Sequence, residues 1–365
     1  MKKIIDIILP NLAIGGAEKV MLLLASQFKA NNYEVRFIVR RFTEEGFQKQ
    51  LRLEYEVINL NAKKVRHFPI KLKNRYKTID KPNIVIASLW PLTFLTTLIL
   101  KLQFRQIKVF CVEHGSLKYQ TQKKIRLYQL FLKWSLKFTL KFCDKLVCVS
   151  EGLKNEIQQL TSYKGHKIIF IPNPIELESR KVELSDIIKD KLKGHVFLSV
   201  GRLKKVKNIP LLLKAFKIVS EKTLSTLIIL GDGQELEELK VLAQSLKIDG
   251  KVHFLGFKSV CKPYYQIANT FVLSSDSEGF GNVIVEALSE GCTVVSTDCF
   301  YGPKEILDEG NYGYLAQVNN EKDLGAKMLS SVQYPFPEEL LKSRAKRYSP
   351  DKIAASYIDL FNTFI

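Results

Sequence analysis

Two glutamates eight positions apart have the spacing and surroundings of a sugar- and phosphate-binding segment. Glu278 opens a glycine-rich stretch, and Glu286 lies about one turn into the helix predicted after it. The N–H groups at a helix start bind anions, and carboxylates accept hydrogen bonds from vicinal hydroxyls. The pattern therefore predicts a diphosphate with a sugar on each side; for Glu286 alone, stabilisation of the helix dipole is the alternative. The backbone beside the diphosphate would come from Gly279, Phe280, Gly281, Asn282 and Val283.

A second segment supplies positive charge. Gly201 ends a predicted strand, and Arg202 and Lys207 lie five residues apart before a predicted helix. A guanidinium suits bidentate contact with phosphate, and an ammonium acts as a point charge. We therefore expect both cations to bind one diphosphate, with a solvated basic loop as the alternative. Gly256, followed by Phe257 at another strand end, would let the backbone approach a flat base.

The first half of the chain carries two weaker signals. Gly15 and Gly16 follow the first predicted strand and allow a tight turn into a helix, but they do not form the Gly-x-Gly-x-x-Gly pattern, so NAD is not predicted. Glu113 and His114 end another strand, where the imidazole could reach a substrate oxygen. A structural turn and a structural histidine are the alternatives.

The elements that must position these residues alternate between strand and helix along the whole chain. This alternation predicts an α/β fold with two doubly wound, Rossmann-like domains, whose ligands bind at the carboxyl ends of the strands. The breaker cluster that ends at Pro174 places the boundary between residues 1–172 and 173–349. A helix at 350–365, begun by Ser349-Pro350, would complete the first domain. We expect the domains to face each other across a cleft.

Charge is distributed unevenly between the two halves. The net charge is +19; residues 1–172 hold 31 Lys and Arg against 12 Asp and Glu, whereas residues 173–365 hold 25 of each. Such asymmetry indicates an anionic partner for the first domain, with solubility as the plainer explanation. Lysines and an arginine recur at helical spacing among apolar residues, which predicts an interfacial helix on an anionic membrane, with a core helix as the alternative. These cations are Arg126, Lys133, Lys137 and Lys141.

A second basic patch would bind lipid head groups or an acceptor diphosphate. It comprises Lys63, Lys64, Arg66, Lys71, Lys73, Arg75 and Lys77.

Cysteine usage and hydropathy indicate the compartment. The six cysteines form no Cys-x-x-Cys pair and no zinc-ligand spacing, and most lie in apolar runs, so we expect buried free thiols in a reducing environment. The first apolar run is interrupted by Asp6 and ended by Pro10, and the longest run, 87–100, is too short to span a bilayer. We expect a cytoplasmic protein attached peripherally to the inner face of the plasma membrane.

Together these residues resemble the retaining GT-B glycosyltransferases of family four. The likeness covers nearly the whole chain and is strongest from Gly201 to Gly313, including the segment Tyr301-Gly-Pro-Lys-Glu-Ile306. The two glutamates eight apart are its most specific mark. Polyprenyl-diphosphate-linked and lipopolysaccharide-assembling members look most similar.

The resemblance implies a role for each site residue. Glu286 binds the ribose, and Glu278 binds hydroxyls of the transferred sugar. Arg202 and Lys207 hold the donor diphosphate, which Gly15 and Gly16 approach from the other domain. Gly256 and Phe257 lie beside the base, and His114 reaches the sugar or the reacting centre, preceded by Glu113 on the acceptor side. The catalytic set would be His114, Arg202, Lys207 and Glu278.

The expected reaction moves a hexose or N-acetylhexosamine from a nucleotide sugar to a membrane-associated acceptor. The resemblance favours UDP as the nucleotide, because UDP-sugars are the usual donors in the family. That acceptor would be a polyprenyl-diphosphate-linked saccharide or a precursor of lipopolysaccharide or O-antigen. No Asp-x-Asp occurs, so neither a metal ion nor another cofactor is expected. The alternatives are a non-hydrolysing sugar-nucleotide epimerase of the same architecture and a basic nucleic-acid-binding protein.

Overall fold

The computed structural model describes residues 3–12, 15–41, 53–121, 124–177 and 192–365. The chain divides into two compact units. The first comprises Met1–Pro174 together with Pro350–Ile365, and the second comprises Ile175–Ser349. Each unit has a parallel β-sheet with helices between successive strands, which confirms the predicted α/β, Rossmann-like architecture.

The sheet of the first unit contains strands that are apolar and buried along most of their length. They are β1 (Ile4–Leu9), β2 (Glu34–Val39), β3 (Glu56–Asn59), β4 (Ile84–Ser88), β5 (Lys108–Glu113), β6 (Lys145–Cys148) and β7 (Ile168–Phe170). Their order is β3-β2-β1-β4-β5-β6-β7. The direction of winding reverses between β1 and β4, and ligands bind beyond the carboxyl ends of strands at such a point.

In the described ranges before Pro174, helices connect several of these strands. They are α1 (Gly16–Ala30), α2 (Phe68–Arg75), α3 (Leu92–Gln103), the short α4 (Leu117–Thr121), α5 (Arg126–Phe142) and α6 (Glu151–Thr161). In the part of the chain that the structure describes, no helix is both long enough and apolar enough to cross a bilayer.

A buried ion pair explains the aspartate within the first apolar strand. Asp6 and Arg36 lie opposite each other in the register of β1 and β2. Arg36 Nε donates to Asp6 Oδ1 at 2.7 Å, and its Nη2 donates to Asp6 Oδ2 at 3.1 Å. The same nitrogen also donates to the carbonyl oxygen of Asp80 at 2.9 Å. Burial without such partners would strongly destabilise either charge, so the two residues depend on each other.

The second unit repeats the same winding. Its strands are β8 (His195–Val200), β9 (Ser225–Leu230), β10 (Val252–Phe254), β11 (Thr270–Leu273), β12 (Thr293–Thr297) and β13 (Tyr314–Ala316). Their order is β10-β9-β8-β11-β12-β13, so the winding reverses between β8 and β11. The loops after β8 and β11 therefore flank the expected ligand position.

The described part of the second unit has seven α-helices, and a C-terminal helix that belongs to the first unit follows them. They are α7 (Ile209–Ser220), α8 (Leu236–Ser245), α9 (Lys262–Ile267), α10 (Asn282–Ser289), α11 (Pro303–Ile306), α12 (Glu321–Gln333) and α13 (Glu338–Ala345), followed by α14 (Pro350–Asn362) of the first unit. Helix α14 packs on α1, where the ring of Phe28 lies 6.2 Å from that of Tyr357 and 5.4 Å from that of Phe361.

Candidate functional site

A lysine and a glutamate meet at the switch point of the second unit, which is the place beyond the carboxyl ends of β8 and β11 where the winding reverses. Lys207 Nζ lies 2.6 Å from Glu278 Oε1, and both side chains are largely buried, at 21% and 13% exposure. The hydroxyl of Ser275 donates to the same carboxylate oxygen at 2.6 Å. In the described residues, Oε2 of Glu278 accepts no hydrogen bond, which leaves one oxygen for a ligand hydroxyl. Two of the predicted site residues are thus in direct contact.

Lys207 is fixed by the backbone that surrounds it. It ends a one-turn 3-10 helix, Lys205–Lys207, and its carbonyl oxygen accepts a hydrogen bond from the hydroxyl of Ser274 at 2.8 Å. Asn208 follows in the left-handed region, with φ of 46°, and its side chain caps α7 by accepting from the N–H of Leu211. The lysine chain passes close to Gly201, where an added Cβ would lie 3.4 Å from Lys207 Cε.

Arg202 is the second cation of this loop and is exposed. Across the described ranges, its guanidinium makes neither an ion pair nor a side-chain hydrogen bond, while Lys207 is already neutralised by Glu278. Arg202 could therefore bind an incoming anion without first breaking an interaction with another side chain.

The glycine-rich stretch makes a fixed entry into α10. Gly281 precedes the helix with φ of +102°, a conformation that favours glycine. Phe280 is buried, with its ring 5.5 Å from that of Tyr348. Gly279 lies half-buried between Glu278 and Phe280. A helix leaves its first N–H groups without acceptors inside the helix, so the turn that begins with Asn282 and Val283 suits an anion.

Glu286 is held by a tyrosine that sequence reasoning missed. The hydroxyl of Tyr265 donates to Glu286 Oε2 at 2.9 Å. Burial raises the pKa of Tyr265 well above its ordinary value, so the hydroxyl remains a neutral donor. Glu286 itself is half-buried on α10. Tyr265 lies 21 positions earlier in sequence, on α9, and only the packing of the two helices pairs it with the glutamate.

The loops after β8, β9 and β10 are joined by their glycines. The N–H of Gly231 donates to the carbonyl oxygen of Gly256 at 2.8 Å. Gly231 has φ of +141°, and a Cβ there would collide with the carbonyl oxygen of Gly201. Gly256 has φ of +69° with open space on its Cβ side, and Phe257 is 56% exposed beside it. An aromatic ring is therefore available there for a flat base.

In the first unit, His114 follows β5 and is held as a neutral imidazole. Both ring nitrogens are buried, and burial lowers the pKa of His114 to about 4, with a smaller opposing effect from Asn173. The loop that follows is fixed by Glu156 on α6, another residue that the sequence did not reveal. Its carboxylate accepts from the hydroxyl of Ser116 at 2.6 Å and from the N–H of Leu117 at 2.8 Å.

Glu113, expected to contact an acceptor or a membrane, is 1% exposed. Its carboxylate accepts from the hydroxyl of Thr93 at 2.7 Å and from the N–H of Trp90 at 3.1 Å. Burial raises its pKa to about 7. The side chain therefore holds the loop between β4 and α3 and does not face solvent.

The other predicted residues of the first unit lie at the start of α1. Gly15 precedes that helix in extended conformation, and Gly16 is its exposed first residue. A Cβ on Gly15 would collide with the carboxylate of Glu18, so glycine gives that side chain room to lie over the turn.

Helix α5 has a buried face and a wide exposed face. Leu132, Leu136 and Leu140 face the core. The predicted basic residues Arg126, Lys133, Lys137 and Lys141 are exposed. Large apolar side chains are exposed with them, namely Leu127 at 72%, Leu130 at 54%, Phe131 at 45% and Trp134 at 55%. The helix thus combines charge and apolar surface outside the core, as an interfacial helix does.

The second basic patch is also largely exposed. It surrounds α2 and the 3-10 turn Val65–His67. Most of its cations are exposed, namely Lys63, Lys64, Arg66, Lys71 and Lys77, whereas Lys73 and Arg75 are half-buried. Two apolar side chains are exposed among them, Val65 at 40% and Ile70 at 63%.

Two family models together match nearly the whole chain. The model described as "Glycosyltransferase Family 4" matches residues 14–179, and the one described as "Glycosyl transferases group 1" matches residues 182–348. This chain is a family-four glycosyltransferase. That membership favours sugar transfer over the epimerase and nucleic-acid-binding alternatives.

Individual relatives of this glycosyltransferase agree with the family. An uncharacterized glycosyltransferase of Haemophilus influenzae is 27% identical over 329 residues, which cover 89% of this chain and 88% of the relative. A Campylobacter jejuni relative is 34% identical over 217 residues, 58% of each chain. It is named N-acetylgalactosamine-N,N'-diacetylbacillosaminyl-diphospho-undecaprenol 4-alpha-N-acetylgalactosaminyltransferase.

Solved structures share the fold of this glycosyltransferase. The Anabaena protein HepE in complex with UDP superposes with a TM-score of 0.79 at 18% identity, covering all of both chains. The apo form of the lipopolysaccharide outer core galactosyltransferase WaaB gives a TM-score of 0.77 at 20% identity over the same full extent.

The burial of His114 makes the stability of the first unit depend on pH. The unfolded histidine takes up a proton near pH 6.5, whereas the folded one does so at about pH 4. Between these values the unfolded chain binds more protons, so this residue makes the unit less stable as the pH falls. We expect His114→Gln to reduce that loss by up to about 1.4 kcal/mol per pH unit, measured by urea unfolding at pH 6.5 and pH 5.

Glu113 has the opposite effect on the pH dependence of stability. Because its pKa is raised to about 7, it stabilises the unit at low pH, and this stability is lost as the pH rises toward 7. Glu113 is unchanged in the variant, so the comparison isolates the histidine. His67→Gln, at an exposed position in the same unit, is the control. Equal pH slopes in the wild type and His114→Gln would contradict a buried neutral imidazole.

Proposed function

We propose that this glycosyltransferase moves a hexose or N-acetylhexosamine, with retention of anomeric configuration and without a metal ion, from a UDP-sugar to a lipid-linked saccharide. The acceptor would be a polyprenyl-diphosphate-linked saccharide or a precursor of lipopolysaccharide or O-antigen. The reaction would occur on an anionic membrane at the inner face of the plasma membrane. The observation that carries this proposal is the contact of Lys207 with Glu278 at the switch point of the second unit.

The contact suits a sugar diphosphate because it places a cation for the phosphates beside a carboxylate for the sugar hydroxyls. The ammonium of Lys207 and the exposed guanidinium of Arg202 attract the phosphates, and the glycine-rich entry to α10 offers N–H groups. The second oxygen of Glu278 accepts from a hydroxyl of the transferred sugar. Glu286, oriented by Tyr265, accepts from the ribose on the other side of the diphosphate. Phe257 would lie against the base.

These groups would accelerate the departure of the nucleoside diphosphate. Negative charge grows on the bridging oxygen as the sugar–oxygen bond breaks, and fixed cations and N–H donors stabilise that charge most in the transition state. Removal of one such donor costs about 10²–10³ in rate. In this proposal the positive charge beside the diphosphate comes from Lys207 and Arg202.

Retention follows in this proposal from attack on the face that the leaving group vacates. The acceptor oxygen bonds to the anomeric carbon, the diphosphate leaves with the bonding electrons, and a phosphate oxygen takes the acceptor proton. Neutral His114, whose pKa is lowered to about 4, would act near the reacting centre as a hydrogen-bonding group and not as a cation.

The relatives support the choice of donor and acceptor class. HepE is described in complex with UDP and with UDP-glucose. The Campylobacter relative is named as acting on a diphospho-undecaprenol-linked saccharide. A Rhizobium meliloti relative, 34% identical over 231 residues, is named a lipopolysaccharide core biosynthesis glycosyltransferase. The Campylobacter name thus includes a lipid-linked acceptor, and the Rhizobium name concerns lipopolysaccharide.

The exposed face of α5 supports reaction at a membrane. Apolar rings of Phe131 and Trp134 would enter the interface, while Lys133, Lys137 and Lys141 would contact anionic head groups. The loop after β4 is joined to this helix, because Trp90 Nε1 donates to the hydroxyl of Ser135 at 3.0 Å.

Removal of the ribose contact tests the donor site. We expect Glu286→Ala to weaken UDP binding by about tenfold or more, because a hydrogen bond to a charged group is worth about 1.5–3 kcal/mol. Titration calorimetry with UDP measures the change. Glu237→Ala, at an 81% exposed position on α8, is the matched control. UDP affinity that is unchanged in folded Glu286→Ala would remove this role.

Removal of charge from α5 tests the membrane surface. Substitution of Lys133, Lys137 and Lys141 by Gln should weaken binding to phosphatidylglycerol vesicles about a hundredfold, since each lysine near such a surface contributes about 1 kcal/mol. The salt dependence of binding should fall with it. Vesicle sedimentation at several salt concentrations gives both quantities.

Two further variants complete that experiment. Phe131→Ser combined with Trp134→Ser should weaken binding while its salt dependence remains. The charge-matched control is a triple variant in which Gln replaces three exposed lysines of the second unit, Lys214, Lys222 and Lys240. Equal binding by the α5 triple variant and this control would refute an interfacial helix.

A further inference from the structure

The segment that follows β12 is fixed against the loop that carries Glu278. The N–H of Glu278 donates to the carbonyl oxygen of Phe300 at 3.1 Å, and Ser277 and Phe300 form a parallel bridge. The hydroxyl of Thr297, at the end of β12, donates to the carbonyl oxygen of Ser275 at 2.6 Å. Residues 297–300 therefore keep a constant position beside the proposed sugar-binding carboxylate.

The phenyl ring of Phe300 points outward from this fixed backbone. Cys299 is 4% exposed and Pro303 is buried, whereas Phe300 is 69% exposed. Single exposed apolar residues are common on protein surfaces, and exposure alone would mean nothing. The difference here is that the exposed ring sits on backbone bonded directly to a site residue.

The backbone that directly follows Phe300 has an unfavourable conformation. Tyr301 has φ of 68°, in the left-handed region that large side chains avoid, and Gly302 has φ of +105°. A Cβ on Gly302 would collide with the carbonyl oxygen of Phe280, so this turn is also packed against the glycine-rich stretch. Strained backbone that the surrounding structure maintains is concentrated at functional sites.

Charged residues lie on both sides of Phe300 in sequence. Asp298 and Lys304 are both exposed on either side of it in sequence, and Lys304 pairs with Glu309 at 2.9 Å. A pyranose presents one face of C–H groups and a rim of hydroxyls. The aromatic face of Phe300 can pack against the C–H groups, and the exposed polar residues near it in sequence offer groups that bond to hydroxyls.

We propose that Phe300 is a stacking platform for a pyranose ring, either the transferred sugar of the donor or the terminal sugar of the acceptor. This inference rests on the proposed function, because Glu278 is the group that brings a sugar to this place. Stacking on Phe300 adds a contact with the ring face that hydrogen bonds to hydroxyls do not supply.

The test compares Phe300→Ala and Phe300→Tyr with the wild type. Tyr334→Ala, which removes an aromatic ring that is 71% exposed elsewhere in the second unit, is the control. The measurements are the affinities for UDP and for the UDP-sugar that the wild type uses, and the KM for its saccharide acceptor. UDP binding serves as the internal check of the fold.

We expect Phe300→Ala to leave UDP affinity unchanged and to weaken one saccharide contact about tenfold. Weaker UDP-sugar binding assigns the platform to the transferred sugar, and a raised acceptor KM assigns it to the acceptor. Phe300→Tyr should keep wild-type values. Unchanged UDP-sugar affinity and acceptor KM, or an equal loss of UDP and UDP-sugar affinity, would overturn the platform while wild-type transfer still stands. A wild type that transfers no sugar would overturn the proposed function, and this inference with it.

Discussion

The pairing of an ammonium with a carboxylate at the ends of two neighbouring strands is the constraint on which the donor side depends. Lys207 and Glu278 lie on opposite sides of the switch point and are mostly withdrawn from water. Each would be costly to bury alone, so the pair fixes the relative position of the two loops. A bound phosphate can share the ammonium, and a sugar hydroxyl can share the carboxylate, without new charge being buried unpaired.

Buried carboxylates hold loops in the first unit in a similar way. Glu113 accepts from the loop after β4, and Glu156 accepts from the loop after β5 that contains His114. Neither carboxylate is near a cation in these contacts, and both are satisfied by N–H and O–H donors instead. Glu113 and Glu156 thus act as internal supports for loops within a strongly basic unit.

The strands and most site positions were predictable because they depend on local pattern. Short apolar runs alternating with helical periodicity define both sheets. Gly201 directly follows β8, Gly281 precedes α10, and Glu286 lies about one turn into α10, as the local pattern predicts. Partners separated along the chain were not predictable. Tyr265 reaches Glu286, and Arg36 reaches Asp6, only through helix packing and strand register.

The faces of α5 show a further limit. Periodicity identifies a polar stripe, but it does not reveal that Ser135 and Thr139 face the core while Phe131 and Trp134 face outward. Both buried hydroxyls donate within the helix, Ser135 to the carbonyl oxygen of Leu132 and Thr139 to that of Ser135, and Ser135 also accepts from Trp90. Helical spacing assigns the residues to faces, and packing against the rest of the unit, which buries Leu132, Leu136 and Leu140, decides which face is inside.

A structure of the chain with bound UDP tests the central claim most directly. The account predicts a phosphate oxygen within hydrogen-bond distance of Lys207 Nζ and of an N–H group in the first turn of α10, with the ribose on Glu286. Phosphates bound elsewhere, with Lys207 still paired only to Glu278 and Glu286 still bonded only to Tyr265, would contradict it.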